Sequence, residues 1–193
     1  MYLNNEKPKS IKECLERLKK GCEILKVEYD YPDCGRFNSP AAEKEIQKYE
    51  RFLGFHFPDA YRQFLKFSNG AWILKNEIYG LNSIGRSDDY VPDDYFALSF
   101  TEMIPERLAI SKTNGQICMF YELKPEPCKF ENYLLMILTK CEEYIIEEQG
   151  KKAEKAKTSA EMKRDEENLV NYIAEMQLFF KKRNDNENIK KHP

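Results

Sequence analysis

Histidine, tryptophan and long apolar runs are scarce in this chain. It has two histidines, His56 and His192, and one tryptophan, Trp72. With so few imidazoles, and no two cysteines at finger spacing, the sequence argues against a structural zinc site. No apolar run approaches the roughly 18 residues of a membrane span. The start, MYLNNEKPKSIKE, lacks the apolar core of a secretory leader, so a soluble, intracellular protein is expected. The six cysteines (Cys14, Cys22, Cys34, Cys118, Cys128, Cys141) are widely spread and include no C-x-x-C pair. Cys14 and Cys141 fall on apolar faces of predicted helices, as reduced structural thiols would. A net charge of −2 removes bulk electrostatics as a reason to bind nucleic acid. No nucleophile stands beside a base, and no phosphate loop is present. His56, between Phe55 and Phe57, has no acid or nucleophile that the sequence nominates as its partner. No catalytic residue, cofactor or metal is therefore assigned.

The 193 residues are enough for one domain with an appendage. Hydrophobic residues make up 41% and aromatics 13%, which can fill a core, although the charged fraction of 33% is high. Residues 1–9 read as a loose arm. Ser10 and Glu13 form an S-x-x-E capping box that opens a helix, with Ile11, Cys14, Leu15 and Leu18 at helical spacing. Gly21 reads as its stop. Leu25, Val27 and Tyr29 alternate with Lys26 and Glu28, which predicts a half-buried strand, and residues 30–38 read as a loop.

The richest stretch runs from Ser39 to Gly80. Ser39-Pro40 reads as a helix start, with Ala42, Ile46, Tyr49 and Leu53 on one face. Gly54 stops this helix and Pro58 opens another, in which Tyr61, Phe64 and Leu65 face inward. Asn69-Gly70 ends the second helix, since both residues tolerate positive φ. Trp72, Ile73, Leu74, Ile78 and Tyr79 then predict a strand or hairpin over 71–79. Further on, Tyr95 to Phe100 reads as a short strand and residues 101–109 as a helical turn around Pro105. Asn114-Gly115 is a turn, and Gln116–Leu123 is the best central strand, broken by Pro125 and Pro127. A helix over about 130–149 carries Leu134, Ile137, Leu138, Cys141 and Ile145 on one face. Glu142, Glu143, Glu147 and Glu148 on the other side solvate it. Residues 150–160 are a solvated helix or a linker. A last amphipathic helix, about 161–183, aligns Leu169, Ile173, Met176 and Phe180. That stripe could bury against the domain or pair a second chain as a homodimer. These elements predict an α+β fold with a mixed or antiparallel sheet of about four to six strands. Helices cover mainly one face, giving a domain over 1–149 and a charged helical extension over 150–193.

The block resembles the SUKH superfamily, the family of the fungal Knr/Smi-type cell-wall regulators and many bacterial immunity proteins. Glu45 and Ile46, Leu53-Gly54, Phe57-Pro58, Tyr61-Arg62, Phe64-Leu65 and Asn69-Gly70 carry the likeness. A weaker match runs from Leu108 to Leu123, so that the resemblance covers roughly 40–123. Each matching residue sets backbone geometry or fills a core, so the motif is a fold signature. The resemblance implies a cytoplasmic immunity protein that neutralises a toxin domain by occlusion, without making bonds. Its alternative is a non-enzymatic regulatory scaffold.

The candidate partner-binding residues are Trp72, Glu77, Asp88, Asp89, Tyr90, Asp93, Asp94 and Tyr95. From Glu77 to Glu106 there are seven acidic residues, opposed only by Arg86. This acidic side would meet a basic protein partner, such as a nuclease toxin whose site normally holds phosphates. Tyr90 and Tyr95 would add anchoring area. The four aspartates lack the Gly and terminal Glu of a calcium loop. The other reading of the same loop is a solvated turn, and for Trp72 a place in the core is expected ahead of one at the sheet's exposed end. Neither nucleic acid nor membrane is expected as a direct partner.

Overall fold

A computed structural model describes residues 6–32, 34–86, 88–101, 106–121 and 123–189, with side chains as far as Asn171 except that of Leu169. Residues Met1–Ile146 form one compact unit, and Glu147–Pro193 a second.

In the first unit, α1 (Ile11–Tyr29) begins at Ser10, whose hydroxyl accepts the Glu13 N–H at 3.1 Å, as the capping box predicts. The expected stop at Gly21 and the strand after it are overturned: the helix runs on to Tyr29. Cys14, Leu15, Leu18, Cys22 and Leu25 form one continuous buried stripe through Gly21. That burial outweighs the ~1 kcal/mol an interior glycine costs. Val27, which strand alternation would bury, is 74% exposed. The true stop is Asp30, in the left-handed region with φ 57°.

A two-residue strand, β1 (Arg36–Phe37), leads to α2 (Glu43–Leu53) and α3 (Asp59–Phe67). The second helix starts three residues after Pro40, so Ser39 does not cap it. The Glu45 carboxylate accepts the Ala42 N–H at 2.8 Å instead. Ser39 uses its carbonyl to accept the Asn69 N–H at 3.1 Å, fastening the helix entry to the exit of α3. Gly54 ends α2 at φ 81°, and Pro58 precedes α3, both as predicted.

All strand pairs are antiparallel. The first sheet has the order β1, β2 (Ala71–Ile73), β3 (Asn76–Ile78), β5 (Ser99–Thr101). The second has the order β4 (Tyr95–Ala97), β6 (Arg107–Ser111), β7 (Ile117–Tyr121), β8 (Lys124–Pro127). The α+β class holds, with the strands divided between two sheets. The expected helical turn over 101–109 lies partly outside the described residues, and its end is strand β6. Pro125 and Pro127 do not end the sheet. They pair with Phe120 and Cys118, on an edge strand where a missing N–H costs no ladder bond.

The main core joins buried residues of α1, α2, α3, β2, β3, β6 and β7, including Tyr61, Phe64 and Leu65 of α3, with Phe130, Leu134, Ile137, Leu138, Cys141 and Ile145 of α4 (Phe130–Ile189). Phe130 packs edge-on to Tyr61 at 5.2 Å. All six cysteines are free thiols. Hydrogen bonding to Cys141, with burial, pushes the Cys22 thiol up to about 12, which suits a structural role. In the second unit α4 continues as helix to Ile189, and each described side chain from Gln149 to Asn171 is exposed. No described helix is long and apolar enough to cross a membrane.

Candidate partner-binding surface

Strand alternation divides the first sheet into two faces. Ala71, Ile73, Ile78, Ser99 and Thr101 are buried. The alternate positions form a cross-strand row, Arg36–Trp72–Glu77–Phe100, set by register. Arg36 is exposed, and Trp72, Glu77 and Phe100 are half-buried. Trp72 is therefore on the outer face of the sheet, not in the core. Glu77 is paired with Arg86 at 3.5 Å, and Arg86 lies over the Tyr79 ring at 5.6 Å.

Arg107 of β6 adjoins this row. Its guanidinium lies 4.8 Å from the Phe100 ring centre and 5.0 Å from that of Tyr90. Its Nε donates to Asp88 Oδ2 at 2.8 Å, and its Nη1 donates to the Glu106 carbonyl at 3.1 Å. The Arg107 and Asp88 side chains are only 5% and 7% exposed. Asp88 also accepts the Tyr90 N–H at 2.9 Å, an Asx turn that fixes the loop. Asp88 is thus a neutralised internal group and not part of an open acidic patch. The count that opposed the acids with Arg86 alone stopped one residue short of the cation that matters most.

The rest of the loop covers the outer face of the second sheet. Val91 and Tyr95 pack on a small cluster of Ala109, Cys118 and Phe120, with Tyr95 edge-on to Phe120 at 4.8 Å. Burial, with Cys118 and Asp94 nearby, pushes the Tyr95 hydroxyl above its usual range. Tyr95 therefore packs inward on this cluster. Asp93 and Asp94 are exposed. Their backbone carbonyls accept from Lys112, which itself lies 4.5 Å from the Phe96 ring centre. Asp89 is exposed, and Tyr90 is 48% exposed. Of the eight candidates, Asp88 and Tyr90 meet Arg107, Glu77 lies across from Phe100, and Trp72 is one strand further along the same row. Asp93, Asp94 and Tyr95 are held instead beside Lys112 and the second cluster.

A second polar cluster escaped the sequence reading. Glu50 of α2 is 3% exposed and accepts from Arg62 at 2.5 Å and from the Phe57 N–H at 2.8 Å. Arg62 also pairs with Glu43, which Lys66 meets at 2.6 Å. His56 Nδ1 stands 3.4 Å from Glu50, with its side chain 92% exposed. Burial alone would raise the Glu50 pKa, but Arg62, the Phe57 amide and His56 hold it below the ordinary carboxylate range. A cavity of about 520 Å³ adjoins the group, lined in part by Arg51 and Asp59. The cluster locks the turn between α2 and α3: each polar atom of Glu50 is engaged by the scaffold. The i, i+12 spacing of Glu50 and Arg62 was the signal available in the sequence, since facing helices can bring such a pair together.

Two further surface assignments change. Glu142 pairs with Arg17 of α1, their side chains 20% and 13% exposed. Lys151 meets Glu147 and Glu148 at 2.8 Å each. These acids connect as well as solvate.

None of the curated proteins matches the chain. The model of the SMI1 / KNR4 family (SUKH-1) matches residues 40–165. It spans α2, α3, every strand of the two sheets except β1, and α4 as far as Asp165, well past the end of the resemblance read from the sequence. By that match, and with the α+β architecture it accompanies, the chain belongs to the SMI1 / KNR4 family.

Proposed function

We propose that this chain is an immunity protein of the cytoplasm, which binds a toxin domain and neutralises it by covering its working surface. Membership of the SUKH-1 family supports this reading, and six free thiols suit a reducing compartment. The observation that carries it is the outer face of the first sheet. There Trp72, Phe100 and Tyr90 offer aromatic area on a rigid frame, with Arg107 and Asp88 holding the frame from behind. Interface hot spots favour such aromatic anchors. Charge on this face is mixed, with Arg86 paired to Glu77 and Arg36 in the same cross-strand row. Aromatic contact therefore supplies affinity, while Asp89, Asp93 and Asp94 steer a basic partner. Occlusion needs no catalytic group, and the His56–Glu50 contact is a structural brace.

The test is co-expression with the toxin domain encoded beside this gene, followed by calorimetry on the purified pair. Wild type protects growth, and Trp72→Ala and Tyr90→Ala each weaken binding by about 2 kcal/mol. His56→Ala leaves protection intact. If the neighbouring gene encodes no toxin and co-expression rescues against none, the reading fails. Capture of signalling or wall-synthesis proteins on the same face would favour the regulatory scaffold instead.

A further inference from the structure

The second unit holds a helix whose sequence is complementary to itself. From Gln149 to Asn171 the described side chains are exposed, with Met162 at 63% and Val170 at 64%. Along the helical backbone, Met162, Leu169, Ile173, Met176 and Phe180 recur at intervals of seven, four, three and four. That is the alternating three–four repeat of a helix-pairing seam. The seam's apolar centre is flanked by runs of opposite sign. Asp165, Glu166 and Glu167 precede its apolar centre, and Lys181, Lys182 and Arg183 follow it.

We propose that residues 162–183 pair two copies of this chain through an antiparallel helix contact. Running the second copy antiparallel, with position 173 opposite 176, sets 169 opposite 180. The same register sets Glu166 opposite Arg183 and Glu167 opposite Lys182, at both ends. A parallel pair in register would set each acidic end beside its own copy, and each basic end likewise, which is repulsive. A two-fold contact requires one patch to complement itself. Residues 166–183 do so about their own midpoint, which selects a second copy over an unrelated partner.

The experiment is sedimentation equilibrium on the full chain over about 5 to 500 µM, with circular dichroism confirming that each variant keeps its helix. Wild type is expected to dimerise. Glu166→Lys with Glu167→Lys, or Lys182→Glu with Arg183→Glu, should each raise the dissociation constant about tenfold or more at low salt. The chain carrying all four changes should recover the wild-type constant, because the exchange restores every opposite pair. Ile173→Glu with Met176→Glu should give a monomer. A wild-type chain that stays monomeric throughout would overturn the proposal. So would a Glu166→Lys, Glu167→Lys chain that pairs as tightly as wild type, or a dimer that survives Ile173→Glu with Met176→Glu. No toxin enters the measurement, so its outcome is independent of the immunity reading.

Discussion

Among the described residues, two ion pairs have a carboxylate hidden from solvent, in a chain a third of whose residues are charged. Glu50–Arg62 lies between α2 and α3, and Asp88–Arg107 lies between a loop and β6. Both carboxylates are under a tenth exposed, yet their surroundings differ. Glu50 is gripped by Arg62, the Phe57 amide and His56, and its partner Arg62 reaches Glu43 as well. All of these groups sit on or between two packed helices, so several contacts must break before the pair moves. Asp88 has Arg107 and the amide of its neighbour Tyr90, and it rides on a surface loop. One pair fixes the angle between core elements. The other pins a cover over a sheet face. A buried pair adds little net stability over an apolar substitute, but breaking it strands a charge. How much that costs depends on whether the stranded group can reach water.

The comparison predicts that Arg62→Met is the most damaging of these changes, costing about 3–5 kcal/mol in urea unfolding. A loss under ~1 kcal/mol would show that Glu50 escapes to solvent and that the two pairs are alike. The pH dependence sharpens the same point. The Glu50 pKa is depressed in the folded chain, so its stabilisation is complete above the unfolded value of about 4.3 and is lost as pH falls through the folded value. Stability measured from about pH 6 down to pH 3 should therefore fall along an acid limb that Glu50→Gln makes shallower. Arg107→Met should cost less, about 1–3 kcal/mol, because the loop can carry Asp88 into water. Loss of the Tyr90 and Phe100 contacts makes up part of that cost. A loss equal to that of Arg62→Met would mean that the loop is as rigid as the helix pair.

Much of this architecture could be read from local sequence signals, and the failures share a cause. The Ser10 cap, the Gly54 stop, the Pro58 start and the 71–79 hairpin each depend on residues adjacent in the chain. Gly21 was misread because its neighbours' burial, which only the assembled core reveals, overrides a local propensity. The strand before Pro125 and Pro127 ends as expected, but that they lie in a further strand was not legible, because whether a strand is an edge is a property of the sheet, not of the segment. The charge of the candidate surface shows the same limit. Asp88 reads as open charge in the sequence and is held inside in the structure. Its neutralising Arg107 lies 19 residues on, across a strand pairing that the chain order does not display.

The smallest effect discriminates most finely between carboxylates that hold structure and those that face outward. Asp93→Asn with Asp94→Asn should change stability by less than about 0.5 kcal/mol. Their side chains are exposed, and the structure uses their backbone carbonyls, which the substitutions keep, to hold Lys112. Asp88→Asn, one turn earlier in the same loop, removes a buried charge from Arg107 and should cost more. If the toxin partner is basic, the order inverts for association. The Asp93, Asp94 pair should slow the encounter at low salt and lose that effect at high salt, while Asp88→Asn leaves the salt dependence unchanged. Stopped-flow association at two ionic strengths, beside urea unfolding, reads both quantities on the same proteins. Equal salt dependence for the two variants would place Asp88 among the outward-facing charges after all.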